Sequence, residues 1–570
     1  MTDAVPHPDE ALRIAAFTME IGLESDIPTY SGGLGILAGD TARAAADLGL
    51  PFGVVTLVHR VGYFRQSLDE EGLQSESPDL WSPEDHLRPL EPRVHVEVEG
   101  RHVSLRGWEY QVTSANGRSV PVYLLDTDVE ENTGDDRRIT DELYGGDKRR
   151  RLQQELILGR GGVKLLRALG HDRIETFHMN EGHSAFLVME LLSEEGADAT
   201  DDPAALERAV EAVRRRCVFT THTPVPEGHD RFSLPLIREV VGAPGADLLE
   251  AVGCAEADEV NLTHVALRFS RFTNGVAFRH ARLSAEMFPG HRIHAITNGV
   301  HAATWTGDSF QRLFDRHLPG WRQDPFLLRH AVAIPLDEIR KAHGEAKATL
   351  LKEVERRTGR TLAQDRLTLV FARRATPYKR ADLPVSRPEQ LLEMARRTGG
   401  LQILYAGKAH PNDEAGKEMI RLVVRAGQQL GHELPLVYLE DYDMELARLL
   451  VSGADVWLNK PRKPLEASGT SGMKAALNGV PCLSILDGWW IEGHVEGITG
   501  WAIDQGWEIP SDDEAELLSL VQKLERSILP LYHRDPDGWA RVMRFAVALN
   551  GSHFHTRRMM QEYVERAYRV

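Results

Sequence analysis

The chain has 570 residues, of which 42% are hydrophobic and 27% are charged, and its formal net charge is −18. Because a single hydrophobic core stops growing at about 250–300 residues, we expect at least two large lobes. The negative charge argues against nucleic acid or an anionic membrane surface as a partner. No segment approaches the roughly 18 continuous apolar residues of a membrane span.

The three cysteines, Cys217, Cys254 and Cys482, show no paired spacing. The sequence therefore indicates neither a disulfide framework nor a structural zinc site, and we expect no bound metal. Residues 1–10 are polar and lack the basic and apolar regions of a signal peptide. These features favour a reducing cytoplasm as the location of the protein.

The first half of the chain alternates between strand-like and helix-like patterns. Residues 14–19 form a short apolar run typical of a buried strand, and a glycine-rich loop at 30–40 leads into a helical pattern at 41–49. This order begins an α/β unit whose loop directs backbone donors towards a ligand, although a glycine cluster without G-x-G-x-x-G spacing is weak support by itself. The later predicted elements are a strand at 51–58, an antiparallel ribbon at 94–126 that turns at 114–117, a helix at 151–169, strands at 174–179 and 216–220, a helix at 260–287, and a strand with a turn at 293–301.

Polar side chains follow two of these predicted strands. Glu181 and His183 come after the strand at 174–179, and His222 comes after the strand at 216–220. Ligands of open α/β sheets bind at the carboxyl ends of strands, so we expect these three side chains to converge there. A structural role is the more common explanation for any single histidine at such a position.

The second half repeats the α/β pattern. We place the boundary between the lobes shortly after residue 301, because the stretch at 305–325 is typical of a connection. The predicted elements that follow are a helix at 336–358, strands at 367–371, 401–405, 436–439 and 454–459, and helices at 514–528 and 535–569.

A basic turn follows the strand at 367–371. It contains Arg373, Arg374, Lys379 and Arg380 within an acidic protein. Arginine offers a bidentate fork for phosphate and lysine offers a mobile charge. A solvated charged turn is the plain alternative, but the position at a strand end favours a phosphate site.

A loop of small residues at 468–472, followed by a helix-favouring run at 473–477, is the stretch around which the chain is organised. Its backbone N–H groups and the helix N-terminus would cradle a phosphate. Lys474 lies inside the helix, where a lysine beside a bound phosphate could form a Schiff base with a phosphorylated aldehyde such as pyridoxal phosphate. The alternative is a glycine-rich turn with a surface lysine.

Several separated motifs, together with this stretch, resemble the α-glucan (glycogen, starch and maltodextrin) phosphorylases in family order. The resemblance extends from Ile14 to Tyr568, and it is closest to the compact bacterial and archaeal members at Ser471–Lys474 and Asp487–Trp490. The motifs are Tyr30–Asp40, Asn180–Ser184, Thr220–Gly228, Thr297–Val300, Arg374–Arg380, Gly407–Pro411 and Glu466–Asn478.

The resemblance implies an α/β fold of two Rossmann-like lobes that face a central cleft (GT-B type). It implies an N-terminal glucan-binding lobe at 1–305, a C-terminal lobe with the pyridoxal-phosphate and phosphate sites at 306–545, and a last helix at 546–570 that crosses back to the first lobe. The implied reaction is reversible phosphorolysis of terminal α-1,4-glucosyl units to α-glucose 1-phosphate. The cofactor's 5′-phosphate would act as acid and base, the partners would be an α-1,4-glucan and inorganic phosphate, and the family suggests a homodimer.

The site residues are carried over motif by motif. Lys474 takes the position of the Schiff-base lysine, and Glu181 stands where long members carry Asp. The resemblance assigns catalysis to His222, Arg374, Lys379 and Lys474; cofactor binding to Lys474, Arg373, Tyr442, Thr470, Ser471 and Gly33; and substrate binding to Gly32, Leu34, Glu181, His183, Asn298, Tyr378, Glu466, Ser468 and Gly469.

The chain also departs from the long phosphorylases. Asp443 stands where they usually carry Arg, and Ala375–Pro377 differs from their segment, so phosphate geometry and the preferred glucan length are open. The short segment before Ile14 predicts that control by a phosphorylated N-terminal tail is absent. Two other functions remain, a nucleotide-sugar glucosyltransferase of the glycogen-synthase type, which would not need Lys474, and a catalytically inert glucan-binding relative.

Overall fold

A computed structural model describes residues 11–199, 202–398, 400–503 and 506–568. The prediction about an N-terminal tail falls on residues 1–10 and lies outside these ranges. The described chain is a mixed α/β structure with two large sheets, of nine and six strands. No helix in these ranges combines the length and the apolar character that crossing a bilayer requires.

The strands and helices are numbered in chain order. The strands are β1 Ile14–Phe17, β2 Phe52–Leu57, β3 Arg65–Leu68, β4 Gln74–Ser77, β5 Arg88–Val98, β6 Arg101–Thr113, β7 Ser119–Asp126, β8 Thr176–Asn180, β9 Cys217–Thr220, β10 Arg231–Ser233, β11 Ala255–Glu256, β12 Glu259–Asn261, β13 Phe272–Gly275, β14 Ile293–Ala295, β15 Leu367–Ala372, β16 Leu401–Ala406, β17 Leu436–Leu439, β18 Val456–Asn459, β19 Cys482–Ser484 and β20 Gly500–Ala502. The helices are α1 Gly33–Leu48, α2 Pro83–His86, α3 Lys148–Leu156, α4 Gly162–Ala168, α5 Leu187–Glu194, α6 Pro203–Arg214, α7 Leu234–Val240, α8 Ala243–Ala251, α9 Leu262–Arg268, α10 Phe278–Met287, α11 Ala302–Trp305, α12 Asp308–His317, α13 Leu336–Thr358, α14 Pro388–Thr398, α15 Glu414–Leu430, α16 Met444–Gly453, α17 Ser471–Leu477, α18 Trp490–Gly493, α19 Asp513–Lys523, α20 Leu529–Arg534, α21 Pro536–Phe545 and α22 Thr556–Tyr563.

The first sheet has the strand order β14-β13-β9-β8-β1-β2-β7-β6-β5. Its strands pair in parallel from β14 to β7, whereas β5, β6 and β7 form an antiparallel ribbon. Every residue of β2 is buried, which is typical of a parallel strand covered on both faces. From β1 the chain proceeds to β2 on one side and later returns to β8 on the other, so the strand order reverses at β1 and β8.

The second sheet is parallel throughout, in the order β17-β16-β15-β18-β19-β20. The chain leaves β15 for β16 on one side and later places β18 on the other side. The loops after β15 and β18 therefore diverge and leave a crevice, which is where ligands bind in open α/β sheets.

The predicted antiparallel ribbon and the helix Leu336–Thr358 are confirmed. Four predictions are wrong. The helix predicted at 535–569 is interrupted at 552–555, where His555 forms a β-bridge with Val300 before α22 begins. The helix predicted at 260–287 is divided by β13, whose four buried residues pair between β9 and β14. The sequence of β13, Phe-Thr-Asn-Gly, shows neither an apolar run nor a clear alternation, so only the pairing within the sheet decides this case.

The other two errors concern α1 and α12. The glycine-rich segment predicted as a loop becomes helical at Gly33, since glycines let α1 approach the segment after β1 closely; a Cβ on Gly39 would lie 1.9 Å from the Gly22 oxygen. The stretch predicted as a connection contains α12, whose Phe310 and Phe314 are buried in the core of the second sheet.

The C-terminal residues pack against the first sheet. Met559 and Tyr563 of α22 belong to the same buried cluster as Ile14 and Val54. The guanidinium of Arg558 donates to the carbonyl oxygens of residues 297 and 298, at 2.6 and 2.9 Å. The end of the chain thus holds the turn that carries Asn298.

A buried ionic cluster fixes α13 to the second sheet. The carboxylate of Asp455, just before β18, accepts hydrogen bonds from Lys347 Nζ at 2.5 Å, His343 Nε2 at 2.8 Å and the backbone N–H of Thr368 at 2.7 Å. Burial alone would raise the pKa of Asp455, but Lys347 and His343 outweigh this effect and lower it. The carboxylate is therefore charged and depends on its partners.

We predict that Lys347→Met destabilises the protein strongly, because it leaves Asp455 as a buried charge without its cation. The expected loss is about 3–5 kcal/mol, which a thermal-shift assay would record as a large fall in the unfolding temperature. Lys352→Met changes an exposed lysine of the same helix and should leave that temperature nearly unchanged. Equal effects of the two variants would show that the buried pair has no special importance.

Candidate active site

A cavity of about 500 Å³ lies between the carboxyl ends of the two large sheets. The loops that follow β1, β8, β9, β15 and β18 all contribute to its wall. Each residue that the sequence predicted for the site lines this cavity: Gly32, Gly33, Leu34, Glu181, His183, His222, Asn298, Arg373, Arg374, Tyr378, Lys379, Tyr442, Glu466, Ser468, Gly469, Thr470, Ser471 and Lys474. Their chemical roles remain predictions.

The carboxylate of Glu466 binds two of the predicted phosphate ligands. Its Oε2 atom accepts hydrogen bonds from Arg373 Nη2 at 2.5 Å and from Lys379 Nζ at 2.6 Å. Burial alone would raise the pKa of Glu466, but Arg373 and Lys379 outweigh it and lower the pKa to about 2. Glu466 is therefore ionised and partly neutralises the two cations.

Arg374 has no such partner. Among the described residues, none forms a hydrogen bond or an ion pair with its guanidinium, which is open to the solvent of the cavity. Partial loss of water around the guanidinium would by itself lower the pKa of Arg374. The nearby Tyr378, Tyr63 and Glu20 outweigh this effect and raise the pKa. A permanent, unpaired positive charge therefore faces the cavity.

Lys474 is the second unpaired cation of the site. It lies on α17, which packs closely on Trp489 and Cys482 at Gly472. Its Nζ atom lies 3.6 Å from the centre of the Trp305 ring and has no hydrogen-bond partner among the described residues. Burial disfavours the ammonium form and lowers the pKa of Lys474 to about 8, although Asp40 opposes this effect.

The glycine loop at the start of α1 forms the opposite wall. The carboxylate of Glu20 accepts hydrogen bonds from the backbone N–H groups of Ser31 at 2.6 Å and Gly32 at 3.2 Å, and from the hydroxyl of Tyr144 at 2.9 Å. A Cβ added to Gly32 or Gly33 would meet no protein atom within 4 Å. The space above these two glycines is thus available to a ligand.

Glu181 joins the loops after β8 and β9. Its carboxylate accepts hydrogen bonds from the backbone N–H groups of His222 at 2.7 Å and Gly182 at 3.0 Å, and from Thr223 Oγ1 at 2.9 Å. Burial raises the pKa of Glu181, and its φ of 77° is unusual for a residue with a side chain. Through these hydrogen bonds, Glu181 holds the loop after β9, which carries His222, in place.

The two predicted histidines are neutral, because burial lowers their pKa values, to about 3 for His183 and well below the usual value for His222. His183 Nε2 accepts the Met19 backbone N–H at 3.1 Å, which connects the ends of β1 and β8. His222 Nε2 lies 2.6 Å from Asn180 Oδ1, so it carries the proton and donates it to that oxygen. Nδ1 of His222 is then the unprotonated nitrogen.

Several predicted residues of the second sheet keep polar groups for a ligand. Ser468 Oγ and Arg373 Nη1 are buried without a hydrogen bond. Thr470 precedes α17 without a side-chain cap, and Ser471 Oγ accepts the Trp457 indole N–H at 3.1 Å. The ring of Tyr378 lies 4.4 Å below Lys379 Nζ. The residues that carry these groups line the same cavity as the cations described above.

The two departures noted in the sequence have structural explanations. Asp443 caps α16, since its carboxylate accepts the Leu446 backbone N–H at 2.7 Å. Burial and the charge of Asp443 together raise the pKa of Tyr442, which lines the cavity. Thr376 leads into a tight 3₁₀ turn at 377–379 that brings Lys379 to Glu466.

Sequence reasoning missed other residues of the wall. Glu20 follows β1 in the same way that Glu181 follows β8, so the strand-end rule could have found it. Trp305 lay in the stretch interpreted as a connection, and no local pattern marked it. The further residues of this kind are Tyr30, Tyr63, Tyr144, Arg151, Asp230 and Lys408.

Comparisons with known proteins cover nearly the whole chain. A family model described as carbohydrate phosphorylase matches residues 245–497. The chain is 38% identical to the maltodextrin phosphorylase of Thermococcus litoralis, over 96% of this chain and 70% of that protein. It is 39% identical to the glycogen phosphorylase of Mycobacterium bovis, over 97% and 70% of the two chains, and 34% identical to that of Aquifex aeolicus, over 97% and 86%.

Asp487, which binds the backbone of Glu466, has a raised pKa, whereas that of Glu466 is lowered. Asp487 Oδ2 accepts the backbone N–H of Glu466 at 3.0 Å, and burial raises the pKa of Asp487 to about 7. From about pH 4 to pH 7 the unfolded chain has lost this proton while the folded chain keeps it. The stability that Asp487 contributes therefore falls as the pH rises through this window, by about 1.4 kcal/mol per pH unit.

We predict that Asp487→Asn, which keeps an acceptor for the Glu466 N–H but cannot ionise, becomes more stable relative to the unmodified protein as the pH rises from 5 to 8. Unfolding temperatures measured at several pH values would show a growing difference. Asp308→Asn, at an exposed position, should give a constant difference. A constant difference for Asp487→Asn as well would contradict the assigned pKa.

Proposed function

Because the chain belongs to the carbohydrate phosphorylase family, we propose that it releases terminal α-1,4-glucosyl units of glycogen or a maltodextrin by reversible phosphorolysis, giving α-glucose 1-phosphate. The single observation that supports this reaction best is the unpaired guanidinium of Arg374, on the wall of the cavity that Arg373 and Lys379 also line. Such a cluster suits a phosphate ion. A nucleotide-sugar transferase would have no need of the buried amine of Lys474.

The proposal includes the arrangement of the fold. Residues 1–305, with the first sheet, would be the glucan-binding lobe, and residues 306–545, with the second sheet, would hold the phosphate and the cofactor. Residues 546–570 would cross back to the first lobe, as the contacts of α22 with the first sheet suggest. Together they would form a GT-B arrangement with the cavity as its cleft.

Phosphorylases generally depend on pyridoxal phosphate, and the residues of the cavity fit this group. Lys474 provides a buried amine without a hydrogen bond, and the glycines at 32 and 33 leave open space opposite it. Arg373 Nη1 and Ser468 Oγ are buried polar atoms without hydrogen-bond partners, and they could donate hydrogen bonds to the oxygens of a phosphate. We propose that Lys474 attaches the aldehyde, with Arg373, Tyr442, Thr470, Ser471 and Gly33 around the remainder.

Arg374 and Lys379 would bind the substrate phosphate. Glu466 balances only part of the charge of Arg373 and Lys379, and Arg374 adds a third cation to the same cavity wall, so the cluster keeps a positive excess. A phosphate ion would compete with Glu466 for Lys379 and would supply the missing partner of Arg374. When bound, pyridoxal phosphate would supply a second phosphate group able to exchange a proton with the substrate phosphate.

The substrate phosphate must give a proton to the glycosidic oxygen and then attack the anomeric carbon on the same face of the sugar. Glu466, once released from Lys379, would accept hydrogen bonds from the sugar hydroxyls, together with Ser468, Gly469 and Asn298. His222 and Leu34 would contact the glucosyl unit from the first sheet. Hydrogen bonds that strengthen as positive charge develops on the ring lower the barrier, and each contributes on the order of 10²-fold.

Glu181 and His183 would act by holding this wall in place. Glu181 binds the backbone of His222, and His183 binds the backbone of Met19. We propose that these two residues orient the sugar-binding loops and that Tyr378 supports Lys379 from below.

The proposed function predicts the effect of removing one phosphate ligand. Lys379→Ala should lower phosphorolysis of a maltodextrin by on the order of 10²-fold or more, because one cation and one donor to the substrate phosphate are lost. The measurement is the release of glucose 1-phosphate in a coupled assay. Lys352→Ala, on the exposed face of α13, should keep nearly full activity. Small and equal effects would rule out the proposed phosphate site.

The proposed cofactor attachment predicts one modified peptide. After the protein is supplied with pyridoxal phosphate and reduced with borohydride, mass spectrometry should find a phosphopyridoxyl group on Lys474. Lys460 is the internal control, because burial also lowers its pKa but its Nζ bonds to the Arg380 carbonyl and it does not line the cavity. An adduct on Lys460 with none on Lys474 would contradict the assignment.

A further inference from the structure

Asp40 is a buried carboxylate that the proposed function does not use. It lies on α1, has no exposed surface and does not line the cavity. Its Oδ2 atom accepts the indole N–H of Trp305 at 2.7 Å and the backbone N–H of His301 at 3.1 Å. Its Oδ1 atom has no hydrogen bond, and Arg43 Nη1 lies 3.5 Å away. A carboxylate with one oxygen lacking a hydrogen bond is costly to bury, so its charge calls for an explanation.

Trp305 connects this carboxylate with the lysine of the site. The edge of its indole donates to Asp40 of α1, while the face of the same ring receives Lys474 Nζ of α17 at 3.6 Å. An indole whose N–H donates to an anion has a more negative face, which strengthens its attraction for a cation. The ring is almost fully buried, so water weakens neither contact.

We propose that Asp40 is a positioning residue for Lys474: acting through Trp305, it fixes the aromatic face on which the amine rests and supplies the counter-charge to the amine across the cavity wall. The inference rests on the proposed function for its purpose, since Lys474 must meet the cofactor aldehyde from a defined place. The link between the two side chains can be tested without the cofactor.

The charges around Lys474 support this link. Burial lowers the pKa of the amine, Asp40 raises it and Arg43 lowers it. On α1, Arg43 pairs with Asp40, whereas Asp47 lies two helical turns further on and binds His301 Nε2 at 2.9 Å. The segment that carries His301 and Trp305 thus contacts two carboxylates of α1. Of these two, only Asp40 affects the pKa of Lys474.

Asp47 therefore provides a matched control. Asp40→Asn keeps an oxygen that can accept from Trp305 and His301 but removes the charge. Asp47→Asn makes the same change on the same helix, at a residue that contacts the same segment. Asp40→Glu keeps the charge and tests rescue.

The experiment uses the full-length chain without cofactor. Lys474 is labelled briefly with trace acetic anhydride from pH 6 to pH 10, and peptide mass spectrometry gives its reactivity, and hence its pKa, at each pH. We expect Asp40→Asn to lower the pKa of Lys474 by about one unit, and we expect Asp47→Asn and Asp40→Glu to leave it near that of the unmodified chain. An unchanged pKa in Asp40→Asn, or equal shifts in Asp40→Asn and Asp47→Asn, would overturn the proposal.

Arg43→Gln serves if Asp40→Asn does not fold. It removes the cation that opposes Asp40, so the proposal expects the pKa of Lys474 to rise, and an unchanged or lower value would overturn it.

The borohydride experiment separates this inference from the proposed function. An adduct on Lys474 together with an unshifted pKa in Asp40→Asn overturns only the role of Asp40, whereas a shifted pKa without any adduct supports that role and refutes the cofactor site.

Discussion

Positive charge gathered on the wall of one cavity is the constraint on which the site depends. A buried cation needs a partner, because protein does not solvate it as water does. Glu466 meets this need for Arg373 and Lys379, and the aromatic face of Trp305 meets part of it for Lys474. Arg374 has neither kind of partner among the described residues, and its guanidinium is instead in contact with the solvent of the cavity. The cavity therefore carries a positive charge that no described protein group balances.

The two large sheets contribute different chemical groups to the wall of this cavity. At β15 and β18 the diverging loops of the second sheet bring the cations and their carboxylate together. At β1 and β8 the first sheet provides neutral histidines, open glycines and backbone groups, with Glu20 and Glu181 as their organisers. The first sheet thus contributes most of the backbone hydrogen-bonding groups of the cavity wall, and the second sheet contributes the cluster of cations.

Local sequence predicted much of this arrangement. The pattern of a strand followed by a polar turn placed Arg374, Glu181 and His222 at the carboxyl ends of strands. The loop of small residues before Lys474 marked a fourth segment of the cavity wall. The rule works because consecutive residues share a strand end whatever the rest of the fold does. It failed at β13, where four buried residues become a strand only because two neighbouring strands pair with them.

What the sequence by itself determined was the fold class, most strands and helices, and the chemical types of the site residues, since each of these depends on residues near one another in the chain. Only the tertiary structure decided which charges meet. The contact of Glu466 with Arg373, and of Trp305 with both Asp40 and Lys474, joins residues far apart in sequence. Such pairings follow from how the two sheets and their helices pack, and no local pattern encodes that packing.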